Sequence, residues 1–145
     1  MSRSGYTDDD EGMPLALWRG IVASATRGKR GQQFFRDLLA ALDAMPHKRL
    51  IAHELAKDGE VCAIGSLGAA RGVDMAKLDP EEPCDVARAF NIATPLAQEV
   101  VYENDENGPW SRDESPEQRW TRMRAWVAAQ IRPDAARGAV QEPRG

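Results

Sequence analysis

The sequence predicts a mainly α domain, α+β at most. It reads as one compact helical body of five to six helices with one small β-hairpin. Three observations predict this. Apolar residues recur at three- and four-residue spacing in segments 14–26, 31–45 and 116–131, the period of helices that bury one face. Helix-start signals stand at Pro14, Thr94-Pro95 and Ser115-Pro116, where a cap or a proline suits the first turn. Strand composition is confined to Glu60-Val61-Cys62-Ala63-Ile64, next to the turn-forming pair Asp58-Gly59. The 145 residues suit a single domain. Residues 1–13 read as a flexible acidic arm, 14–131 as the helical domain and 132–145 as a disordered tail.

Each element has its own reason. In the first helix, 14–26, Leu15, Leu17, Trp18, Ile21, Val22 and Ala25 share a face. Arg27-Gly28-Lys29-Arg30-Gly31 is a tight connection, since two glycines bracket two bases. The second helix carries Phe34, Phe35, Leu38, Leu39, Leu42 and Met45, and Pro46 ends it. Residues 48–64 admit a helix or a hairpin, and Asp58-Gly59 favours the hairpin. A two-residue turn there sets Lys57 opposite Glu60, Leu55 opposite Cys62 and His53 opposite Ile64. Gly65 to Gly72 reads as a small-residue helix closed by Gly72, whose short side chains allow close backbone approach. A short helix covers Asp85 to Phe90, and Thr94 caps another that runs to Glu103. Residues 104–114 read as an acidic loop. Ser115 and Gln118 have capping-box spacing, and Trp120, Met123, Trp126, Val127 and Ile131 then line one face, with Arg119, Arg122 and Arg124 largely off it. The expected core comprises Leu17, Trp18, Ile21, Phe34, Leu38, Leu42, Ile64, Phe90, Val100, Met123 and Trp126.

Charge is segregated along the chain. The net charge is −4, yet residues 16–57 hold eight bases against three acids and residues 58–117 hold fourteen acids against four bases. If the fold keeps such blocks apart, they form surfaces of opposite potential that steer association. The alternative is that they neutralise each other within the fold. No apolar run is long enough to span a bilayer, and the N-terminus lacks a signal-peptide pattern, so no membrane partner is expected.

Motifs for chemistry are weak. Cys62 and Cys84 have neither metal-type nor redox-type spacing, and both are expected to be reduced thiols. Cys62 with His47 or His53 is the one Cys/His option, but the hairpin register does not set His53 opposite Cys62. The oxygen-rich runs 8–11 and 104–107 lack calcium-loop spacing, and the basic turn is no phosphate loop. No catalytic residue, metal ligand or cofactor is expected. Residues 85–103 fit a helix-turn-helix pattern, but the second helix carries two glutamates and no base. Such a face repels phosphates, so the pair reads as a structural corner. Two surfaces remain as candidates for partner binding. One is the basic segment 27–49, with Arg27, Lys29, Arg30, Lys48 and Arg49. The other is the acidic segment 99–114, with Tyr102, Glu103, Asp105, Glu106 and Trp110.

A wider pattern joins these segments. It consists of Trp18-Arg19-Gly20, Gly28-Lys29-Arg30-Gly31-Gln32 with Phe34, Ala41-Leu42-Asp43-Ala44, Lys48-Arg49-Leu50-Ile51, Gly59-Glu60-Val61-Cys62-Ala63 with Gly65 and Arg71-Gly72, Asn104-Asp105-Glu106 and Met123-Arg124-Ala125-Trp126-Val127. It resembles a family of small uncharacterised proteins, without assigned activity, encoded by phages and prophages of proteobacteria. The resemblance implies a non-enzymatic accessory protein acting in the host cytoplasm. By association with other small phage proteins, it implies a host protein or protein complex as partner, for example a defence complex that it inhibits as anti-CRISPR proteins do. The other expectation is a small nucleic-acid-binding regulator using the basic 27–49 segment.

Overall fold

A computed structural model describes residues 15–106 and 113–133. The expectations for the arm 1–13, for Trp110 and for tail positions 134–145 lie outside the described residues. The element order is α1 (Leu15–Arg27), α2 (Lys29–Ala44), β1 (Ala56–Lys57), β2 (Glu60–Val61), α3 (Ala63–Arg71), α4 (Pro83–Phe90), α5 (Thr94–Asp105) and α6 (Pro116–Gln130), with a 3-10 turn at Met75–Lys77. The domain is therefore mainly α, with one small antiparallel hairpin among the described residues.

Helix α2 is the central element and packs against α1, α3 and α6. Its Phe34, Phe35, Leu38 and Leu42 are buried, and burying such a side chain contributes roughly 1.5–3 kcal/mol. Phe35 meets Phe34 and Trp126 edge-on, with centroids 5.3 and 5.6 Å apart, the geometry that ring quadrupoles favour. Met45 takes ψ 131°, which ends the helix, since the residue before a proline disfavours helical ψ. At the other end of α2, a Cβ on Gly31 would lie 2.0 Å from the Ala25 carbonyl. Glycine is thus what lets α2 turn so closely off α1.

The hairpin has the expected register at its tip. Lys57 pairs with Glu60 and Ala56 with Val61, across Asp58 and Gly59 at φ 52° and 82°. The Cys62 amide donates to the Leu55 carbonyl at 3.1 Å. The strand expected to reach Ile64 stops at Val61, because Cys62 caps α3 by accepting the Gly65 amide at 3.4 Å. His53 does not pair with Ile64; it sits in the left-handed region at φ 72°. The small residues of α3 do allow close approach: a Cβ on Gly65 would lie 2.0 Å from the Leu55 carbonyl. The capping box at α6 is complete, with Ser115 Oγ accepting the Gln118 amide at 3.1 Å and Gln118 Oε1 accepting the Ser115 amide at 2.8 Å.

Three further expectations are corrected. Phe34, Leu38, Leu42, Ile64, Phe90, Val100 and Met123 are core residues, but Trp18, Ile21 and Trp126 are half-buried and Leu17 is 55% exposed. Helix α1 is peripheral, packs on α2 and α5, and is buried at Thr26, near its C-terminal end. Asn104 and Asp105 are not the start of a solvated loop but the last turn of α5, with inward-facing side chains. Arg119 lies on the inner face of α6, one turn before Met123, and is 6% exposed.

Candidate functional site

The α1–α2 corner, the C-terminal ends of α3 and α4 and residues 132–133 enclose an open cleft of about 810 Å³. Among the described residues six cations line it, namely Arg27, Lys29, Arg30, Arg36, Arg71 and Arg132, and no carboxylate does. Phe34 and Phe90 touch it from the core side, each 1% exposed. A second cavity of about 320 Å³, between Trp18 and Trp126, has Glu99 beside Arg19 and Arg132. Its charges are mixed, so the larger cleft is the site with a single sign.

The sequence builds this cleft locally. Gly31 brings the end of α1 against the first turn of α2, so that Arg27, Lys29 and Arg30 cluster at one corner. Gln32, which is buried, ties three segments together. Its Nε2 donates to the carbonyls of Thr26 at 2.8 Å and Gln130 at 2.9 Å, and its Oε1 accepts the Arg132 amide at 2.8 Å. Three of the four hydrogen bonds that a carboxamide can make are thereby used, and Arg132 is fixed at the rim.

The cations of the cleft are weakly engaged. Arg30 Nη1 donates to Asn91 Oδ1 at 3.3 Å, and Arg36 Nη2 to the Arg132 carbonyl at 3.3 Å. Arg71 is the one cleft cation with an ion pair among the described residues, to Asp37 at 2.9 Å. A row of guanidinium forks and one ammonium, without carboxylates, attracts a multiply charged anion and can hold it by paired N–H donors.

The other expected site residues are placed differently. Lys48 Nζ donates to the carbonyls of Asp43 and Met45 at the end of α2, at 2.5 and 2.6 Å, and lies 5.5 Å from the Trp120 ring centroid. Arg49 pairs with Glu60 at 2.8 Å and Glu117 at 3.1 Å. The basic 27–49 segment is thus divided: its first half lines the cleft, while Lys48 and Arg49 brace the fold. In the acidic segment, Tyr102 and Glu106 are half-buried and Glu103 and Asp105 are buried, so these two carboxylates supply no open steering surface. Arg36, Arg71 and Arg132 were missed as cleft residues. Arg36 had a signal, being α-helical turns away from Lys29 and Gln32, but Arg71 and Arg132 are brought in by tertiary packing alone.

A second constellation sits at the α5–α6 end. Asn104 Oδ1 accepts the Ala63 amide at 3.1 Å, and its Nδ2 donates to the Ile51 carbonyl at 3.0 Å and to Asp105 Oδ1 at 2.7 Å. Arg119 donates to the carbonyls of Asn104 and Leu50, both at 3.1 Å. Arg122 pairs with Glu114 at 2.7 Å. That hydrogen bond holds the Glu114 carboxyl below its ordinary value of 4.5, against the upward push of burial, with further help from the charges of Arg122 and Arg119. Exposed His53 approaches buried Asp105, Nδ1 to Oδ2 3.8 Å. The Cys/His option ends here, because Cys62 is 1% exposed and its sulfur serves as a helix cap. Among the described residues, no cluster of three or more His, Cys, Asp or Glu side chains could hold a metal ion. Also among them, no helix is long and apolar enough to cross a membrane.

Fold and site together define a small helical domain with a cationic cleft. No protein-family model matches the chain, and neither a curated protein nor a solved structure does.

Proposed function

We propose that this domain is a non-catalytic binding protein of the phage-accessory kind, which engages a host protein or protein complex in the host cytoplasm through the basic cleft. A defence complex is one such target, with occupation of its surface as the inhibitory act. The observation that carries this reading is the single sign of the cleft among the described residues: six cations, no lining carboxylate, and one ion pair, from Arg71 to Asp37. A fold that used these residues for stability would pair them, as it pairs Arg49, Arg122 and Arg124. Unpaired like charges held close together cost stability, and a complementary partner relieves that repulsion.

Nucleic acid is the second reading, favoured by the arginine content of the same cleft, because phosphates and carboxylates both accept guanidinium forks.

The test is affinity capture from proteobacterial lysate with the full chain and with the fourfold variant Arg27→Gln, Lys29→Gln, Arg30→Gln and Arg36→Gln. The expected result is a defined protein retained by the wild type, released by rising salt and lost from the variant. Retention that disappears on nuclease treatment supports the second reading. Equal retention by both chains rejects the cleft as the contact.

A further inference from the structure

We infer that the part of the partner entering the cleft is a short, extended acidic peptide segment, and not a nucleic-acid backbone. This rests on the reading of the cleft as the recognition surface and names what that surface takes. The cleft's volume of about 810 Å³ lies within the roughly 300–1,000 Å³ of pockets that enclose a compact ligand. It therefore accepts a few side chains rather than a broad protein face. Six lining cations call for several negative charges close together. Five of them are arginines, which bind a carboxylate by two parallel N–H donors.

Fork chemistry suits phosphate equally well, so the choice turns on what surrounds the forks. Single-stranded nucleic acid draws much of its affinity from stacking its bases on aromatic faces. The two rings that touch the cleft, Phe34 and Phe90, are each 1% exposed and offer no such face. A duplex must extend well beyond the cleft. Between Arg71 and Asn91, both on its lining, the chain runs through residues 72–82 and α4 and carries Asp74, Asp79, Glu81, Glu82 and Asp85 against Lys77 and Arg88. Lys77 and Arg88 are themselves paired within it, to Asp74 at 3.9 Å and to Asp85 at 3.3 Å. The chain that joins two cleft residues thus adds net negative charge, which disfavours a long polyphosphate, whereas a short segment needs only the cleft's own cations. The binding step is non-covalent: carboxylates displace water from the guanidinium groups, and no bond is made or broken.

Fluorescence anisotropy with the full chain tests this at low ionic strength. The probes are a labelled octapeptide of Glu and Asp with Gly and Ser spacers, its Gln/Asn counterpart, a labelled oligothymidylate of equal length and a labelled DNA duplex. The acidic peptide is expected to bind at least about tenfold more tightly than either nucleic acid, a difference of one decade in Kd. The amide peptide is expected not to bind, and the fourfold variant, with an unchanged circular-dichroism spectrum, should lose the acidic peptide. Tighter binding of the oligothymidylate or duplex, lost in the variant, overturns the peptide inference while leaving the cleft as the contact. Binding of no probe by the wild type, or binding that the variant retains, overturns the cleft reading itself.

Discussion

The two arginine-rich regions of the molecule handle charge in opposite ways. At the α5–α6 end, Arg119 and Arg122 are driven into a network with Asn104, Glu114 and the carbonyls of Leu50 and Glu103. Both guanidinium groups meet acceptors inside the fold. At the α1–α2 corner, Arg27, Lys29, Arg30, Arg36 and Arg132 share one cleft without an ion pair among the described residues. The first region is argued to contribute stability and the second recognition. The difference teaches that segregated charge in a sequence is not one feature. Part of it is consumed by packing, and what is left over is the surface we propose for a partner.

The largest effect is expected from breaking the first region. Arg119→Met strands the Leu50 carbonyl and leaves the Asn104 carbonyl and the Glu114 carboxylate to Arg122 alone, in a site where Arg119 is 6% exposed. Each hydrogen bond lost from such a charged donor costs about 1.5–3 kcal/mol, read together as a lower urea midpoint. Gln32→Met acts on the second region. It strands the Thr26 and Gln130 carbonyls and the Arg132 amide, with a loss of about 1–3 kcal/mol. Because Arg132 is no longer fixed, affinity for the acidic peptide should fall as well, in the same anisotropy assay.

A pH series sharpens the contrast. Glu114 has a folded-state pKa below its ordinary 4.5, caused first by the Arg122 hydrogen bond. A depressed carboxyl contributes stability that is present above the unfolded value and is lost as pH falls through the folded one. Glu114→Gln should therefore lower stability near neutral pH by about 1–2 kcal/mol and flatten the acid limb of a midpoint-against-pH curve below 4.5. An unchanged acid limb would show that another carboxyl governs it. The smallest effect on stability belongs to the cleft: the fourfold variant should stay within about 0.5 kcal/mol of the wild type, as exposed substitutions outside ion pairs do, since only the two 3.3 Å hydrogen bonds of Arg30 and Arg36 are lost.

The sequence was most legible where local chemistry decides. Ser115 and Gln118 form the box that their spacing announces, Gly72 closes α3 in the left-handed region, and Asp58-Gly59 sets the hairpin register. It was misleading where a polar residue occupies an apolar phase. Asn104 follows Val100 by four residues, and Arg119 precedes Met123 by four and Val127 by eight, so helical phase alone points both inward. Their polarity reads as solvation because the partners, Ala63, Ile51 and Leu50, are backbone groups from distant segments. Leu17 is the reverse case. It has an apolar phase on a peripheral helix, and no neighbour covers it among the described residues. Half of the cleft was readable as the basic turn after α1. Arg71 and Arg132 were not, since only the tertiary fold brings them to Arg27.

The most direct test of the contrast is urea unfolding of the wild type and the fourfold cleft variant, each with and without the acidic octapeptide. The account predicts nearly equal midpoints for the two free proteins and a peptide-induced rise in the wild type alone, because a ligand stabilises only the state that binds it. A variant that loses several kcal/mol by itself, or a wild type whose midpoint ignores the peptide, would contradict it.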